Sequence, residues 1–531
     1  MKRNSRISAL VGCALMVSGA CFTSCTDSFE SMNINPNEVT PGMMEQDNLK
    51  TGAYFSQMQR AVFVVGKDKG GSYQIHQMLN GDNYAGYFAN IKDSYNIGNR
   101  HHDHYAMVSH WYDTPFNDTY PDVMQPWYKI YEETDENSVD RALATVVKVM
   151  AMHRMTDKYG PIPYTKFGTA INLPYDSQED VYHAFFTELE QAIDVLNTYN
   201  SASNKPYMAR YDYVYSGNVV RWARLANTLR LRLAMRVSYV DEALARAEIQ
   251  KCLDNPAGFM TGVADDANLH QGNGLTFTNP IYEVTQGFND MRMSATIDCY
   301  LNGLNDPRLP RYFLEATNGG YHGIRNGMTS GFASMPNAAS VANFNSDSDL
   351  PWMHAAETYF LLAEAKLRFN LGSDDVQTLY EKGVRLSFES AGVASAADAY
   401  LADSDSKAPD TWTNPVDNRN VNVKSMLTQL SPAWDDAAST DVKLQRIMLQ
   451  KWIALYPDGC EAWAEMRRTG YPGWVTINTY SYASGVQSND IIRRIQFPST
   501  EFENNTKNVQ EAVTMLGGTD NAGTHLWWDC K

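Results

Sequence analysis

Beyond its first 25 residues the chain has no apolar run near the about 20 residues that a membrane-spanning helix requires. No later segment is therefore read as crossing a bilayer. Nor is there an excess of basic charge: 44 Lys and Arg stand against 61 Asp and Glu, a net of −17. Nucleic-acid phosphates and anionic lipid surfaces both select for clustered Lys and Arg, so neither is expected as a partner. Solubility alone is reason enough for the acidity. No Cys-x-x-Cys pair occurs, and after Cys25 only Cys252, Cys299, Cys460 and Cys530 remain, far apart. Zinc held by spaced cysteines is not expected, and the spacing implies no disulfide pairing. Two hydrolase signatures, Gly-x-Ser-x-Gly and His-Glu-x-x-His, are missing. Asp403-Ser-Asp405-Ser406 and Asp347-Ser-Asp349 lack the glycine and distal glutamate of a calcium loop and read as solvated acids. His101-His102-Asp103-His104 crowds metal-type side chains together, but no second cluster completes a ligand set. No metal and no cofactor is expected.

The amino terminus carries the first positive signal. Lys2, Arg3 and Arg6 precede a stretch from Ile7 to Phe22 that is apolar or small almost throughout. A cationic start, a short apolar middle and small residues near a cut are the layout of a secretory signal. The segment ends Phe22-Thr23-Ser24-Cys25, followed by polar and acidic residues. A cysteine directly behind small residues resembles a bacterial lipobox, with residues 1–24 as signal peptide and Cys25 as the lipidated first residue. Cys21 competes for that role, and ordinary secretion with an unmodified cysteine is the alternative. Each buried methylene of an acyl chain contributes about 0.8 kcal/mol, so several chains hold a soluble body on a membrane. Loss of residues 1–24 removes three basic and no acidic residues and takes the net charge from −17 to −20. Residues 25–45, with Asn33-Ile34-Asn35-Pro36-Asn37, read as a tether before a body spanning 46–531.

Within that body the strongest pattern is helical. Val139, Ala142, Leu143, Val146, Val147 and Met150 recur at the spacing of one helix face. A helix is predicted over about 177–197, where Ser177-x-x-Asp180 resembles a capping box with Asp for Glu or Gln, and another over about 218–239. A pair spans 352–390: Met353, Ala356, Phe360, Ala363 and Leu367 form one face, Leu371-Gly372-Ser373 breaks it, and Val376, Leu379, Tyr380, Val384 and Phe388 resume it. Two such helices joined by a short turn look like a tetratricopeptide unit of about 34 residues. A last long helix is expected near 441–456. Between these lie 66–128, 255–345 and 396–440, stretches of little periodicity rich in Gly, Asn, Asp, Pro, Tyr and Trp. Loops of that length in a compact domain are usually functional. The predicted fold is mostly α, a scaffold of helix pairs carrying long irregular insertions.

Charged residues on the helices read as architecture. Arg221, Arg224, Arg230, Arg232 and Arg236 crowd one helix, and Arg467-Arg468 follow Trp463. Buried charges are normally paired, so some of these should meet carboxylates such as Asp157 and Glu461. Tyr159-Gly-Pro-Ile-Pro-Tyr164 must be a rigid turn, because two prolines fix φ and remove donors.

Several stretches, taken in order, resemble one family. They are Cys25-Thr-Asp-Ser-Phe-Glu30; Met155-Thr-Asp-Lys-Tyr-Gly-Pro-Ile-Pro-Tyr164; Tyr175-Asp-Ser-Gln-Glu-Asp180; Trp222-Ala-Arg-Leu-Ala-Asn-Thr-Leu-Arg-Leu-Arg-Leu-Ala234; Asp306-Pro-Arg308; Ala356-Glu-Thr-Tyr-Phe-Leu-Leu-Ala-Glu-Ala365; Gln450-Lys-Trp-Ile-Ala-Leu455; and Glu461-Ala-Trp-Ala-Glu-Met-Arg-Arg-Thr-Gly470. Together they look like the SusD/RagB family of nutrient-binding outer-membrane lipoproteins. The resemblance implies a helical fold on tetratricopeptide-like pairs, a cell-surface location through a lipid anchor only, and a SusC-like TonB-dependent barrel as partner. It also implies an oligosaccharide ligand, or a peptide in some relatives, and no catalytic activity.

The ligand contacts are expected in the insertions. Sugar rings present apolar C–H faces ringed by hydroxyls, so flat aromatic rings and Asn, Asp, Gln or Arg suit them. The candidates are Tyr84, Tyr87, Asn90, Tyr95, Asn96 and Trp111, with Tyr321, near Gly319-Gly320, and Trp352 beside them. An extracellular glycosidase is the competing function. It would need two carboxyl groups roughly 5–10 Å apart, and no compact motif marks such a pair. A scaffold that binds only its barrel is the third reading.

Overall fold

A computed structural model of the chain describes residues 48–95, 102–106, 108–479, 481 and 484–531. The expected signal peptide 1–24, Cys25, the tether 25–45 and the candidate Asn96 lie outside the described residues. Helices dominate. Numbering the α-helices of nine residues or more gives α1 Leu49–Ala61, α2 Ser109–Thr119, α3 Gln125–Glu133, α4 Val139–Tyr159, α5 Gln178–Ala202, α6 Val219–Arg236 and α7 Glu242–Asp254. These are followed by α8 Ala295–Gly303, α9 Ala355–Phe369, α10 Val376–Ser390, α11 Thr440–Ala454, α12 Gly459–Thr469 and α13 Thr506–Met515. The strands are three or four residues long and form three antiparallel pairs. β1 Phe88–Asn90 pairs with β3 Met291–Met293, β2 Ala267–Leu269 with β4 Leu350–Met353, and β5 Thr411–Thr413 with β6 Asn420–Asn422. Thr51–Lys531 form one compact unit.

The long helices stand where the periodicity puts them, and their starts show why. Ser177 accepts from the Asp180 amide at 3.1 Å and donates its hydroxyl to the Asp180 carboxylate at 2.7 Å, a reciprocal N-cap. Asn218 caps α6 through the Arg221 amide at 3.1 Å, and Asp375 caps α10 through the Thr378 amide at 2.9 Å. Neighbours in sequence pack as pairs: α4 on α5, α6 on α7, α9 on α10, α11 on α12. α6 also packs on α5 and α9, and α9 on α11. This is the tetratricopeptide-like scaffold. Asn370, in the left-handed region at φ 55°, turns the chain from α9 into α10.

After α4 the chain must reverse, and Gly160 allows it. Its φ is +86°, and a Cβ there would lie 2.9 Å from Leu516 Cδ2. The turn that follows is fixed as its prolines suggest. Ile162 and Asp176 form an antiparallel bridge, and the Asp176 carboxylate accepts from the Tyr164 and Thr165 amides at 3.1 and 2.7 Å.

One expectation is corrected. The stretch 66–128 is not simply irregular: it holds α2, the start of α3 and two π-helical turns, Gln74–Asp82 and Tyr120–Met124. A π turn rotates the buried face out of the 3.6-residue phase, and Pro115, Pro121 and Pro126 interrupt the sequence further, so no single period survives.

The interior is charged where α4, α6, α9, α11 and α12 meet. Arg232 donates two hydrogen bonds to Glu357, at 2.8 and 2.5 Å. Arg236 reaches Glu461 at 2.5 Å and Glu465 at 2.7 Å, with Asp157 at 3.4 Å. Arg468 holds Glu364 at 2.6 Å and Glu465 at 2.7 Å, and Lys451 adds a 2.9 Å bond to Glu465. All of these side chains are buried. Of the arginines crowded along α6, Arg230, Arg232 and Arg236 thus meet carboxylates on other helices, Asp157 and Glu461 among them. Arg467 differs: it lies over the Trp463 ring at 3.6 Å and donates to the carbonyls of Asp157 and Arg493.

This interior makes the fold acid-sensitive. Burial pushes the imidazoles of His153 and His102 down, to about 3 and about 4. Unfolding returns them to an ordinary value near 6.5, so the unfolded chain takes up protons that the folded chain refuses. Their stabilisation is whole above about 6.5 and is lost as pH falls through 4 and 3. Burial also pushes the Glu461 carboxyl up, but Arg236 and Arg232 outweigh it and hold the group down to about 2. That contribution is complete above about 4.5 and is lost towards pH 2. Urea midpoints are therefore expected to fall from pH 6.5 downward and more steeply below 4.5. A midpoint unchanged between pH 7 and pH 4 would contradict this.

Candidate functional site

β1 and β3 are short, but they bring two distant loops together. Phe88 pairs with Met293 and Asn90 with Met291, and the Ile91 amide donates to the Asp290 carbonyl at 3.0 Å. Asn90 then folds the chain back on itself: its amide nitrogen donates to the Lys92 carbonyl and its oxygen accepts from the Lys92 amide, both at 2.8 Å. A single helical turn, Asp93–Tyr95, follows. It sets the Tyr95 ring half-buried beside Asp290, whose carboxylate accepts from the Tyr95 hydroxyl and from Gln74 Nε2, each at 2.9 Å. Lys92 Nζ lies 3.6 Å from the other carboxylate oxygen. Burial and the Asp290 charge both push the Tyr95 phenol up, so it remains a donor. Two positions before Asp290 in the chain, Phe288 is 40% exposed. The patch thus offers a ring, an ammonium group and a carboxylate, with the buried Gln74 fixing the carboxylate and the exposed Phe288 close by in the chain.

A column of rings supports Tyr95. Its ring centroid is 5.3 Å from that of Trp111, which meets His102 edge-on at 5.6 Å. His102 lies 5.4 Å from Tyr84, and Tyr84 lies 5.2 Å from Trp463 of α12. The patch is the outer end of a stack rooted in the helical scaffold, which limits how far Tyr95 can shift.

The other expected contacts divide by burial. Tyr84, Tyr87 and Trp352 are core residues and present no ring face to solvent. Tyr87 is packed between Trp452 at 4.9 Å and Tyr456 at 5.4 Å and donates its hydroxyl to the Trp452 carbonyl. Trp352, on β4, is 1% exposed. Asn90 is buried and shapes the turn, and Trp111 is buried beneath Tyr95. Tyr321 is half-buried on a different loop, where its carbonyl accepts from Asn302 at 3.0 Å. Gln74, Lys92, Phe288 and Asp290 were not among the expected residues. Gln74 and Asp290 are 216 positions apart in the chain, and the β1–β3 pairing together with the packing of 70–73 on 280–287 brings them together.

The metal-type residues near this loop have other uses. His102 packs between Tyr84 and Trp111, and Asp103 accepts from Asn83 at 2.9 Å. Among the described residues no group of three or more His, Cys, Asp or Glu could hold a metal ion. Cys252, Cys299 and Cys460 are buried free thiols and Cys530 is exposed. Among the described residues no helix is long and apolar enough to cross a membrane.

A scaffold of tetratricopeptide-like helix pairs that carries long excursions between them defines the class: a mostly helical protein of paired-helix architecture. The chain belongs to the SusD-like family, SusD and RagB outer membrane lipoproteins, whose profile it matches over residues 31–529. It is similar to the structure of a chitin-binding SusD homologue from Flavobacterium johnsoniae, with 35% identity over 91% of this chain and 99% of that one and a TM-score of 0.85. SusD homologues from Bacteroides uniformis (35% identity, 91% and 99% covered, TM-score 0.83) and Bacteroides vulgatus (34%, 91% and 98%, TM-score 0.83) are similar to it as well. Among curated protein sequences none matches the chain.

Proposed function

We propose that this protein is a cell-surface lipoprotein of the outer membrane, held by acyl chains on Cys25. It binds an oligosaccharide at the Tyr95–Asp290 patch and passes it to a SusC-like TonB-dependent barrel. The observation that carries this reading is the kinship, over nearly the whole body, with a homologue that binds chitin. The patch supports it: the Tyr95 and Phe288 rings suit the apolar face of a pyranose, and Lys92 and Asp290 suit its hydroxyl rim. Trp111 backs the site, Asn96 follows Tyr95 in the chain, and Tyr321 is a further contact on its own loop. Asp290 is engaged by Gln74, Tyr95 and Lys92, whereas glycosidase chemistry needs two carboxyl groups facing each other across the scissile bond. Binding without turnover is the expected behaviour.

Titration calorimetry against a panel of glycans and peptides tests the ligand class. Tyr95→Ala should weaken oligosaccharide binding by about 5- to 30-fold, on the order of 1–2 kcal/mol, with little change in melting temperature. Unaltered affinity in that variant would remove the patch as the site. New reducing ends that accumulate steadily would make the protein an enzyme instead. Radiolabelled palmitate should enter the wild type and not Cys25→Ser.

A further inference from the structure

A second site lies on a different part of the scaffold. The loop 425–429, the chain from Gly470 to Thr476 and the side chain of Gln445 on α11 enclose a cleft of about 590 Å³, within the usual range of small-ligand sites. Its walls are firmly tied. The Tyr300 hydroxyl donates to the Gly473 carbonyl at 2.6 Å and accepts from the Thr428 amide at 2.9 Å, bridging one wall to the other. Gly473 runs so close to the Met426 carbonyl that a Cβ would lie 2.2 Å from its oxygen. Gln445 donates to the Tyr471 hydroxyl at 3.3 Å and to Asp441 at 2.8 Å, which holds the Tyr471 ring at the edge.

Two properties of the lining specify a ligand. None of the described residues that line the cleft is Asp, Glu, Lys, Arg or His, while Tyr471 and Trp474 contribute half-buried rings. The Asp441 carboxylate at the edge already accepts from Gln445 and from the Tyr471 hydroxyl at 2.9 Å, so a charged guest finds no counter-ion in the lining itself, and a flat uncharged one finds apolar faces. In addition, the Gln429 carboxamide sits in the wall with both oxygen and nitrogen shielded from solvent and paired with no group among the described residues, and the Trp474 indole nitrogen is in the same condition. Buried polar atoms without partners are costly. A side-chain rotation that brings them to a guest able to accept and donate recovers the missing bonds. A carboxamide presents a donor and an acceptor side by side, and the group that answers it with one C=O and one N–H is another amide.

We propose that this cleft is a second saccharide site, for an uncharged acetamido sugar, with Gln429 reading the acetamido group and Tyr471 and Trp474 bounding the ring. The assignment rests on the reading of the chain as an oligosaccharide-binding protein. Titration of the full chain, purified from membranes in detergent, with chitotriose and with cellotriose as the counterpart lacking acetamido groups tests it. Wild type should take up chitotriose at two sites. Gln429→Leu, which removes the unpaired atoms, should weaken one of them about tenfold without lowering the melting temperature, and Trp474→Phe should weaken the same one several-fold. Tyr95→Ala should spare that site and weaken the other. Wild-type affinity at both sites in Gln429→Leu overturns the cleft and leaves the Tyr95 patch standing. Equal uptake of cellotriose at the cleft overturns the acetamido assignment. No saccharide binding at all overturns the broader reading, and the cleft with it.

Discussion

Replacing Arg236 with methionine is expected to lower the unfolding free energy by about 3–5 kcal/mol, enough to leave a protein of ordinary stability largely unfolded at growth temperature. Arg236 is wholly buried and touches three carboxylates on two other helices: Glu461, Glu465 and Asp157. The loss is not the strength of three ion pairs. It is the cost of leaving negative groups in the interior without their shared counter-charge. Glu465 keeps Arg468 and Lys451, and Glu461 keeps Arg232 at 3.7 Å. The Asp157 carboxylate keeps two neutral donors, the Tyr182 hydroxyl at 2.6 Å and the Trp528 indole at 2.8 Å, and its remaining cationic neighbour Arg467 is spent on the Asp157 and Arg493 carbonyls. Burial already pushes the Asp157 carboxyl up against the pull of Arg236, so without the arginine it should take up a proton. The penalty in the variant is therefore expected to shrink between pH 7 and pH 4, as protonation removes the uncompensated charge. Arg246, whose pair with Glu242 is exposed on both sides, is the control: Arg246→Met should cost under about 0.5 kcal/mol. Urea melts of both variants at the two pH values check the argument. A midpoint for Arg236→Met equal to that of wild type would refute it.

The second large effect is expected at Trp463. Its ring is fully buried, its indole N–H donates to the Ile492 carbonyl at 2.7 Å, and Arg467 covers one face. Trp463→Ala should cost about 3–5 kcal/mol through the cavity it leaves, with a further loss from the orphaned carbonyl. The residue also roots the column of rings that rises through Tyr84, His102 and Trp111 to Tyr95. A milder change, Trp463→Phe, should keep the fold while loosening that column. Oligosaccharide affinity at the Tyr95 patch is expected to fall several-fold in Trp463→Phe, although Trp463 lies four rings below the surface. Thermal melts separate the two variants, and calorimetry on the phenylalanine variant reads the coupling. A variant that melts lower but binds as tightly as wild type would show that the column carries stability alone.

Much of the scaffold could be read before any coordinates. An amphipathic helix announces itself locally: its apolar face repeats every 3.6 residues and its capping residues sit at its start. Ser177 and Asp180 are three positions apart, and their bond depends on nothing outside that turn. The charges along α6 were legible in the same way, because an arginine on a buried face must find a carboxylate. Which carboxylate it finds was not, since Arg232 and Glu357 lie 125 positions apart. The stretch 66–128 shows where periodicity fails. Its π turns rotate one helical face relative to the next, so a reading based on 3.6 residues finds only noise.

The site was legible in kind and not in position. Tyr84 and Tyr95 are the same residue type in the same polar, aromatic stretch, 11 positions apart. One packs on Trp463 in the core, and the other emerges beside Asp290. Residue spacing and the amino-terminal pattern were enough to indicate a helical scaffold with aromatic excursions behind a secretory signal, because each of those features is written in neighbouring residues; the binding role came from the resemblance of several ordered stretches to the SusD/RagB family. Which rings face solvent, and which distant side chains complete the patch around Asp290, followed only from the tertiary packing, β1 against β3 and the ring column on Trp463 among it. Exposure is decided by the other elements that cover a residue, and those elements are hundreds of residues away.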